Sequence, residues 1–244
     1  MPNPKSRAYL NWSSGKDASL ALYTLRQAGE VVVEKLLTAV NKEYDRVTMH
    51  GLPRRVLEAQ AQAIGLPLET VALGATPSME DYDRIMREKG QQLRAEGLEY
   101  SVFGDIFLED LRQYREAQLR PLGLKPCFPL WKKDTRQLLL DFIALGFRAV
   151  VVCCNAQQLP RTFCGRPVDE QFLADLPAGV DPCGENGEFH TFCYDGPIFE
   201  YPLAFSPGEV VYRTYPAPAS DDPEGPREYG FWYCDIQLAK PNHS

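Results

Sequence analysis

The stretch Tyr9-Leu10-Asn11-Trp12-Ser13-Ser14-Gly15-Lys16-Asp17-Ala18-Ser19 constrains this chain more than any other. Ala8, Tyr9, Leu10 and Trp12 make a short apolar strand. Directly after it, Ala18, Ala21, Leu22, Leu25 and Ala28 recur at i, i+3, i+4, i+7 and i+10, one face of a helix. Gly29 stands where a helix ends in a left-handed residue. Between strand and helix lie small hydroxyls, one glycine, one lysine and one aspartate. Such a turn presents backbone N–H groups at a helix N-terminus, where the helix dipole adds roughly half a positive charge. Strand, polar turn and helix together are an arrangement that holds phosphate. The plainer account of the same residues is a strand followed by an ordinary capped helix.

Two common phosphate loops are excluded. The Walker pattern G-x-x-x-x-G-K-[ST] would need glycine at Leu10 and a hydroxyl at Asp17. The dinucleotide pattern G-x-G-x-x-G fails because Gly15 stands alone. What remains, S-x-G-K-D-x-S, resembles the pyrophosphate loop (PP-loop) of the N-type ATP pyrophosphatases, S-G-G-x-D-S. Ser13, Gly15, Lys16 and Asp17 fall on that pattern. Ser14 stands in place of a glycine, Ala18 in place of the last serine, and Ser19 follows one place late. Ser14 is expected to keep a negative φ and turn its N–H toward phosphate.

The rest of the first half alternates strand and helix. Strands are expected at 32–40 (ending at Asn41), 68–73, 100–103, 128–131 and 147–154. Helices are expected at 53–65, at 78–97 (opened by Ser78), at 108–121, and from Asp134 to Leu145. Unbroken apolar strands between helices argue for a parallel sheet covered on both faces. In such a sheet ligands bind beyond the carboxyl ends of the strands. That places Ser13 to Asp17, Asn41, and Gly104-Asp105 among the candidates. Asp105 there fits either a Mg2+ ligand or the N-cap of a helix.

After about residue 155 the rhythm changes, and Pro, Gly and aromatic residues rise. A short helix is expected at 169–176, with strands at 203–205, 210–215 and 231–238. Pro216 to Arg227 reads as an exposed loop. The fold class is therefore α/β: a parallel-sheet, Rossmann-like nucleotide-binding domain over 1–154 and a smaller mixed α+β region over 155–244. Within the latter, Gly184-Glu185-Asn186-Gly187-Glu188 sets two carboxylates around an Asn-Gly pair, the strongest hairpin dipeptide. Asp181, two cysteines, His190 and several aromatics crowd around it. Glu185 and Glu188 are expected to face one cleft.

Composition narrows the partners. A net charge of −7 argues against a nucleic-acid partner. Residues 1–7 carry no apolar signal core, and no apolar run reaches the roughly 20 residues of a spanning helix. Seven cysteines, an odd number without C-x-x-C, fit reduced thiols in a cytoplasm.

Five motifs occur in order: the 13–19 loop, Met49-His50-Gly51, Gly104-Asp105-Ile106, Pro129-Leu130-Trp131, and Gly184 to Phe192. This succession resembles the diphthine–ammonia ligase family of the adenine nucleotide alpha hydrolase superfamily, which would make the first domain HUP-type. The family's G-E-G-G-E-Y-E-T is met here by Asn186 for Gly, Phe189 for Tyr and His190 for Glu. The resemblance implies an AMP-forming ligase. A carboxylate, free or on a protein, attacks the α-phosphorus of ATP, and ammonia then displaces AMP. It implies ATP contacts from Ser13, Ser14, Gly15, Lys16, Asp17, Ser19, Asn41, His50, Gly104 and Asp105. Mg2+ would sit at Asp17 and Asp105. Glu185 and Glu188 would accept the ammonium proton, with Lys16 and Asp17 completing the catalytic set. A homodimer is left open. Two other readings stay beside this one: an ATP-binding or sensing protein without ligase activity, and a tRNA-modifying thiolase using Cys127, Cys183 or Cys193. Cys153 and Cys154 read as inert core thiols. Trp12 and Trp131 read as core, and His243 as tail.

Overall fold

Period-two burial organises the first sheet. The computed structural model describes residues 5–47, 51–74, 78–216 and 228–239. Strand β1 (Ser6–Asn11) turns Ala8 and Leu10 into one core and Tyr9 into another. Strand β2 (Val31–Asn41) likewise divides Leu36 and Val40 from Leu37. Parallel pairings join β2 to β4 (Leu68–Leu73), β2 to β1, β1 to β5 (Tyr100–Val102), and β5 to β6 (Lys125–Cys127). A two-residue strand, β3 (Arg46–Val47), lies antiparallel to the end of β2. On one face, helices α3 (Met79–Ala95) and α4 (Glu109–Leu119) bury Leu93 and Leu119 against Tyr9, Leu37 and Val71. On the other lie α1 (Lys16–Ala28), α2 (Arg54–Ile64) and α5 (Thr135–Ala144).

The helix ends follow the sequence. Gly29 closes α1 at φ 71°, its N–H on the Leu25 carbonyl. Ser78 and Asp134 cap α3 and α5 by accepting the N–H of Asp81 and Gln137.

The second sheet is antiparallel in the order β8 (Phe189–Asp195), β7 (Arg148–Asn155), β10 (Glu228–Leu238), β9 (Phe205–Pro216). Its buried residues share one hydrophobic core with α1, α2 and α5. Helix α1 is therefore enclosed between two sheets, and Ser19, Leu20, Ala21, Leu22 and Leu25 are all buried. A short α6 (Glu170–Asp175) lies within the helical stretch expected at 169–176, and Asp169 caps it by accepting the Phe172 N–H.

Three sequence expectations are corrected. The apolar run 147–154, expected in the parallel sheet, forms β7 inside the antiparallel one. A strand buried on both faces reads as one apolar run whichever way its neighbours point. Second, the strand expected at 128–131 lies earlier, at Lys125–Cys127. Pro129 cannot donate to a ladder, and the chain instead turns, with Trp131 N–H on the Phe128 carbonyl at 3.2 Å. Third, Asn186-Gly187 makes no hairpin, for no strand precedes β8 within this loop. The loop 216–227 lies outside the described residues except for Pro216, which ends β9.

Candidate active site

The candidate phosphate loop leaves β1 at Asn11 and enters α1 at Lys16, with Gly15 as an N-cap that makes no side-chain cap bond. Ser14, Gly15 and Lys16 are buried, and Ser13 and Asp17 are partly exposed. Ser14 has φ 70°, against the expected negative value. The left-handed region costs a non-glycine residue about 1–3 kcal/mol. Its hydroxyl is also fully buried with no hydrogen-bond partner among the described residues. The bend therefore keeps the geometry of the glycine usual at this position although a serine occupies it. It persists because its carbonyl is held twice, by the Cys193 N–H at 2.9 Å and by the Gln60 Nε2 at 3.0 Å.

Lys16 does not project into open space. Its backbone N–H donates to the Thr191 hydroxyl at 3.0 Å. Its side chain is 3% exposed, and the ammonium donates to Asp17 Oδ2 at 2.8 Å and to the Cys183 carbonyl. Burial works to lower this ammonium's pKa, but the carboxylates of Asp17 and Glu185 outweigh it and the net shift is upward. Lys16 thus stays charged and ties the loop before β8 onto the phosphate loop.

That second loop, residues 181–188, divides its two glutamates. Glu188 is fully buried, and its carboxylate accepts from the N–H of Asp181 at 3.0 Å, the N–H of Asn186 at 2.9 Å and Asn186 Nδ2 at 3.0 Å. It holds its own turn together rather than facing a cleft. Asp181 does the same for the N–H groups of Cys183 and Glu185, at 3.0 and 3.1 Å. Glu185 points elsewhere. Its Oε1 accepts the Ile106 N–H at 2.7 Å, on the segment after β5. Burial raises its pKa, the Ile106 bond opposes this, and the charges of Asp17 and Asp105 add to it, leaving the carboxyl at about 7. Glu185 therefore lies within electrostatic reach of Asp17, Lys16 and Asp105, while the Glu188 carboxylate is taken up by its own turn.

The remaining candidates sort by what they touch. Asp105 spends both oxygens on Arg115, by a bond from Nε and one from Nη2 at 3.1 Å. It caps no helix, since Leu108 precedes α4. A Cβ on Gly104 would stand 3.0 Å from the backbone at Asp17 and Ala18, so this glycine lets the β5 segment close on α1. Ser19 turns inward and donates to the Gly15 carbonyl at 2.9 Å instead of offering its hydroxyl to the loop mouth. Asn41, at the end of β2, accepts the N–H of Glu43 at 2.9 Å and shapes the turn there. His50, Met49 and His243 lie outside the described residues. His190 is pulled down to about 4 by burial and by the charge of Lys16. Trp12 is core, whereas Trp131 is half-buried beneath the Arg112 guanidinium at 4.6 Å. Burial raises the Cys127 thiol, pushes Cys193 up to about 12 and raises Cys183 as well. None has the lowered pKa that a thiolating cysteine needs.

Sequence reading missed Gln60, Thr191 and Arg115. Gln60 carried a usable signal, a lone amide on the apolar face of α2 among Val56, Leu57, Ala61 and Ile64. Thr191 stood in the Gly184–Phe192 motif as the threonine of the family pattern, without a role given to it, and Arg115 carried no signal, because its partner Asp105 lies on an irregular segment.

The diphthamide synthase N-terminal domain matches residues 6–126, and the diphthamide synthase C-terminal domain matches residues 134–215. The chain belongs to the diphthine–ammonia ligase family. Similar proteins carry that name. The diphthine–ammonia ligase of Bos taurus is 27% identical, covering 83% of this chain and 84% of the bovine protein. That of Homo sapiens is 26% identical over the same shares. The Schizosaccharomyces pombe enzyme is 27% identical over 87% of this chain, which spans 39% of that longer protein. Membership makes the chain an ATP-dependent ligase enzyme. No helix among the described residues is long and apolar enough to cross a membrane.

Proposed function

We propose that this ligase adenylates a carboxylate of the diphthine class, borne on a protein, and amidates it with ammonia in a reducing cytoplasm. The parallel-sheet half takes ATP and the antiparallel half takes the acceptor. The observation that carries this reading is the contact between the loops: the Lys16 ammonium on the Cys183 carbonyl, with Glu185 on the Ile106 N–H two residues past Gly104, which packs on the backbone of Asp17 and Ala18. An amidating ligase needs its amine site next to the α-phosphorus, and proximity of this kind raises rates by many powers of ten.

The acceptor carboxylate is ionised at neutral pH, so the adenylation step needs no base. It needs charge neutralisation and alignment. The Gly15 amide, Ser13 and the buried charge of Lys16 support the leaving pyrophosphate. Asp17 is the residue suited to hold Mg2+, which would neutralise charge on the phosphate oxygens. Asp105 fits less well: both its oxygens are held by Arg115 and its side chain is the more enclosed, 13% exposed against 29% for Asp17, although Asp17 must likewise loosen its own pairing with Lys16 through both oxygens. No three acidic, His or Cys side chains among the described residues group as a metal cluster, yet nucleotide-bound Mg2+ needs only one or two carboxylates beside phosphate. In the second step ammonium must lose a proton before nitrogen attacks the acyl carbon. Glu185, poised at about 7, is the acceptor for that proton. Glu188 is not, being occupied by its own turn.

The test is product analysis. ATP, Mg2+, ammonium and a diphthine-bearing acceptor should yield AMP, pyrophosphate and amide in equal amounts. Release of ADP, or ATP turnover that ignores the acceptor, would overturn the reading. ATP binding with no turnover would favour a sensing protein.

A further inference from the structure

We propose that Gln60 is a positioning residue for the phosphate loop. It fixes the plane of the Ser14–Gly15 peptide and so aims the Gly15 N–H at the loop's open side. The proposal rests on the reading above that this loop receives the phosphates of ATP.

Gln60 lies in α2, fully buried on its apolar face. An amide placed there is costly to bury unless every polar atom is bonded. Each one is. Oε1 accepts the Trp12 indole N–H at 2.7 Å. Nε2 donates to the Ser14 carbonyl at 3.0 Å and to the Cys193 carbonyl at 2.6 Å. A side-chain amide has two N–H donors, and both are used. One side chain thus joins the end of β1, the phosphate loop and β8.

The Ser14 carbonyl is the centre of this joint. It also accepts the Cys193 N–H at 2.9 Å, so both its lone pairs are occupied. In a planar trans peptide, C=O and the following N–H point in opposite directions. Pinning the carbonyl against α2 and β8 therefore turns the Gly15 N–H away from them. That N–H donates to the Ser13 hydroxyl at a long 3.4 Å. A donor held this way is preorganised for an incoming anion and need not reorient when the anion arrives. Gln60 itself touches no phosphate, since its side chain is enclosed.

The experiment compares wild type, Gln60→Met and Gln60→Glu for binding of Mg2+-ATP by calorimetry, with the folded fraction followed by circular dichroism. Methionine keeps the volume and removes every donor. Affinity should fall about tenfold in the folded protein, roughly what one lost hydrogen bond carries. In Gln60→Glu at about pH 8.5, the new carboxylate is ionised, faces two carbonyl oxygens and weakens binding at least as much. At about pH 5.5 the protonated form of that carboxyl, favoured by burial, regains a donor and most of the affinity. A purely structural role would lower stability in both variants without this pH-dependent recovery, measured against wild type at each pH. Wild-type affinity in both variants would overturn the proposal. If wild type itself fails to bind Mg2+-ATP, the reading of the site falls, and Gln60 is judged by amide exchange instead. Gln60→Met should then speed exchange at Cys193 and Lys16 relative to amides of β4. Unchanged exchange there would end the proposal.

Discussion

Two loops meet at the candidate site, and they are held in opposite ways. Residues 13–17 are shaped from outside: Gln60 and the Cys193 N–H grip the Ser14 carbonyl, and Thr191 takes the Lys16 N–H. Residues 181–188 are shaped from inside, where Asp181 and Glu188 collect the N–H groups of their own turn. The first loop can therefore carry a serine at φ 70° with an orphaned hydroxyl, because distant residues impose the bend. The second tolerates little change in its own carboxylates. A motif short enough to notice can depend on the whole chain for its form, and an irregular loop can specify itself.

The strongest way to break this comparison is Glu188→Ala. It removes a fully buried carboxylate that accepts three N–H bonds, two from the exposed Asn186 and one from the half-buried Asp181, each bond to a charged group contributing about 1.5–3 kcal/mol. Denaturant titration should show a loss of about 3 kcal/mol or more, together with loss of amide formation. Wild-type stability in this variant would mean that the loop does not support itself. Next comes Asp17→Asn, which keeps the side chain's shape but removes the counter-charge of the buried Lys16 ammonium. Turnover of Mg2+-ATP should fall on the order of 10²-fold through lost transition-state stabilisation, together with a lower melting temperature from the uncompensated buried charge. Unaltered turnover would remove Asp17 from the metal.

Ser14→Gly tests the other side. If the bend is imposed from outside, glycine relieves both the left-handed backbone and the orphaned hydroxyl. Part of that gain is offset by a more flexible unfolded chain, leaving a net stabilisation of about 1 kcal/mol. A destabilised variant would show that Ser14 contributes something its surroundings do not reveal.

The smallest effect is on pH dependence. Glu185 is protonated in the fold up to about 7 but ionises near 4.5 when unfolded. The folded state then binds the extra proton between those values, so this group's contribution to stability falls as pH rises through that window. His190 runs the other way. It titrates at about 4 in the fold against 6.5 ordinarily, so the unfolded state binds the extra proton and stability is lost as pH falls from 6.5 to 4. Over most of the range the two slopes oppose each other. Glu185→Gln should unmask the His190 slope, so that stability climbs more steeply with pH below 6.5. A profile unchanged by the substitution would contradict the placement of Glu185. Amide formation in wild type should rise through about pH 7, as the proton acceptor becomes ionised.

Much of the fold was legible because it rests on local pattern. The helices from Lys16, Met79 and Thr135, and the glycine ending α1, follow from periodicity and capping within a few residues. At the candidate site, what was legible is the contiguous turn from Ser13 to Asp17 between a strand and a helix. What stayed hidden depends on separation in sequence. Nothing near Glu188 tells that its carboxylate turns back on Asn186 while Glu185 reaches across to Ile106. Nothing near Asp105 tells that Arg115 takes both its oxygens. The direction of the neighbours of β7 was equally invisible, since a doubly buried strand looks alike in either sheet.

The tie between Lys16 and Thr191 spans 175 residues. During synthesis at about 5–20 residues per second, the partner of the first loop is made roughly 9–35 s after the loop itself. Through that interval β1 and α1 lack the sheet that encloses them, and the Ser14 peptide lacks the Cys193 N–H that helps to orient it. The earliest part of the site to leave the ribosome is thus among the last to take its working shape. A nascent chain carries the sequence of residues 13–17 without the contacts from β8 that hold them in place.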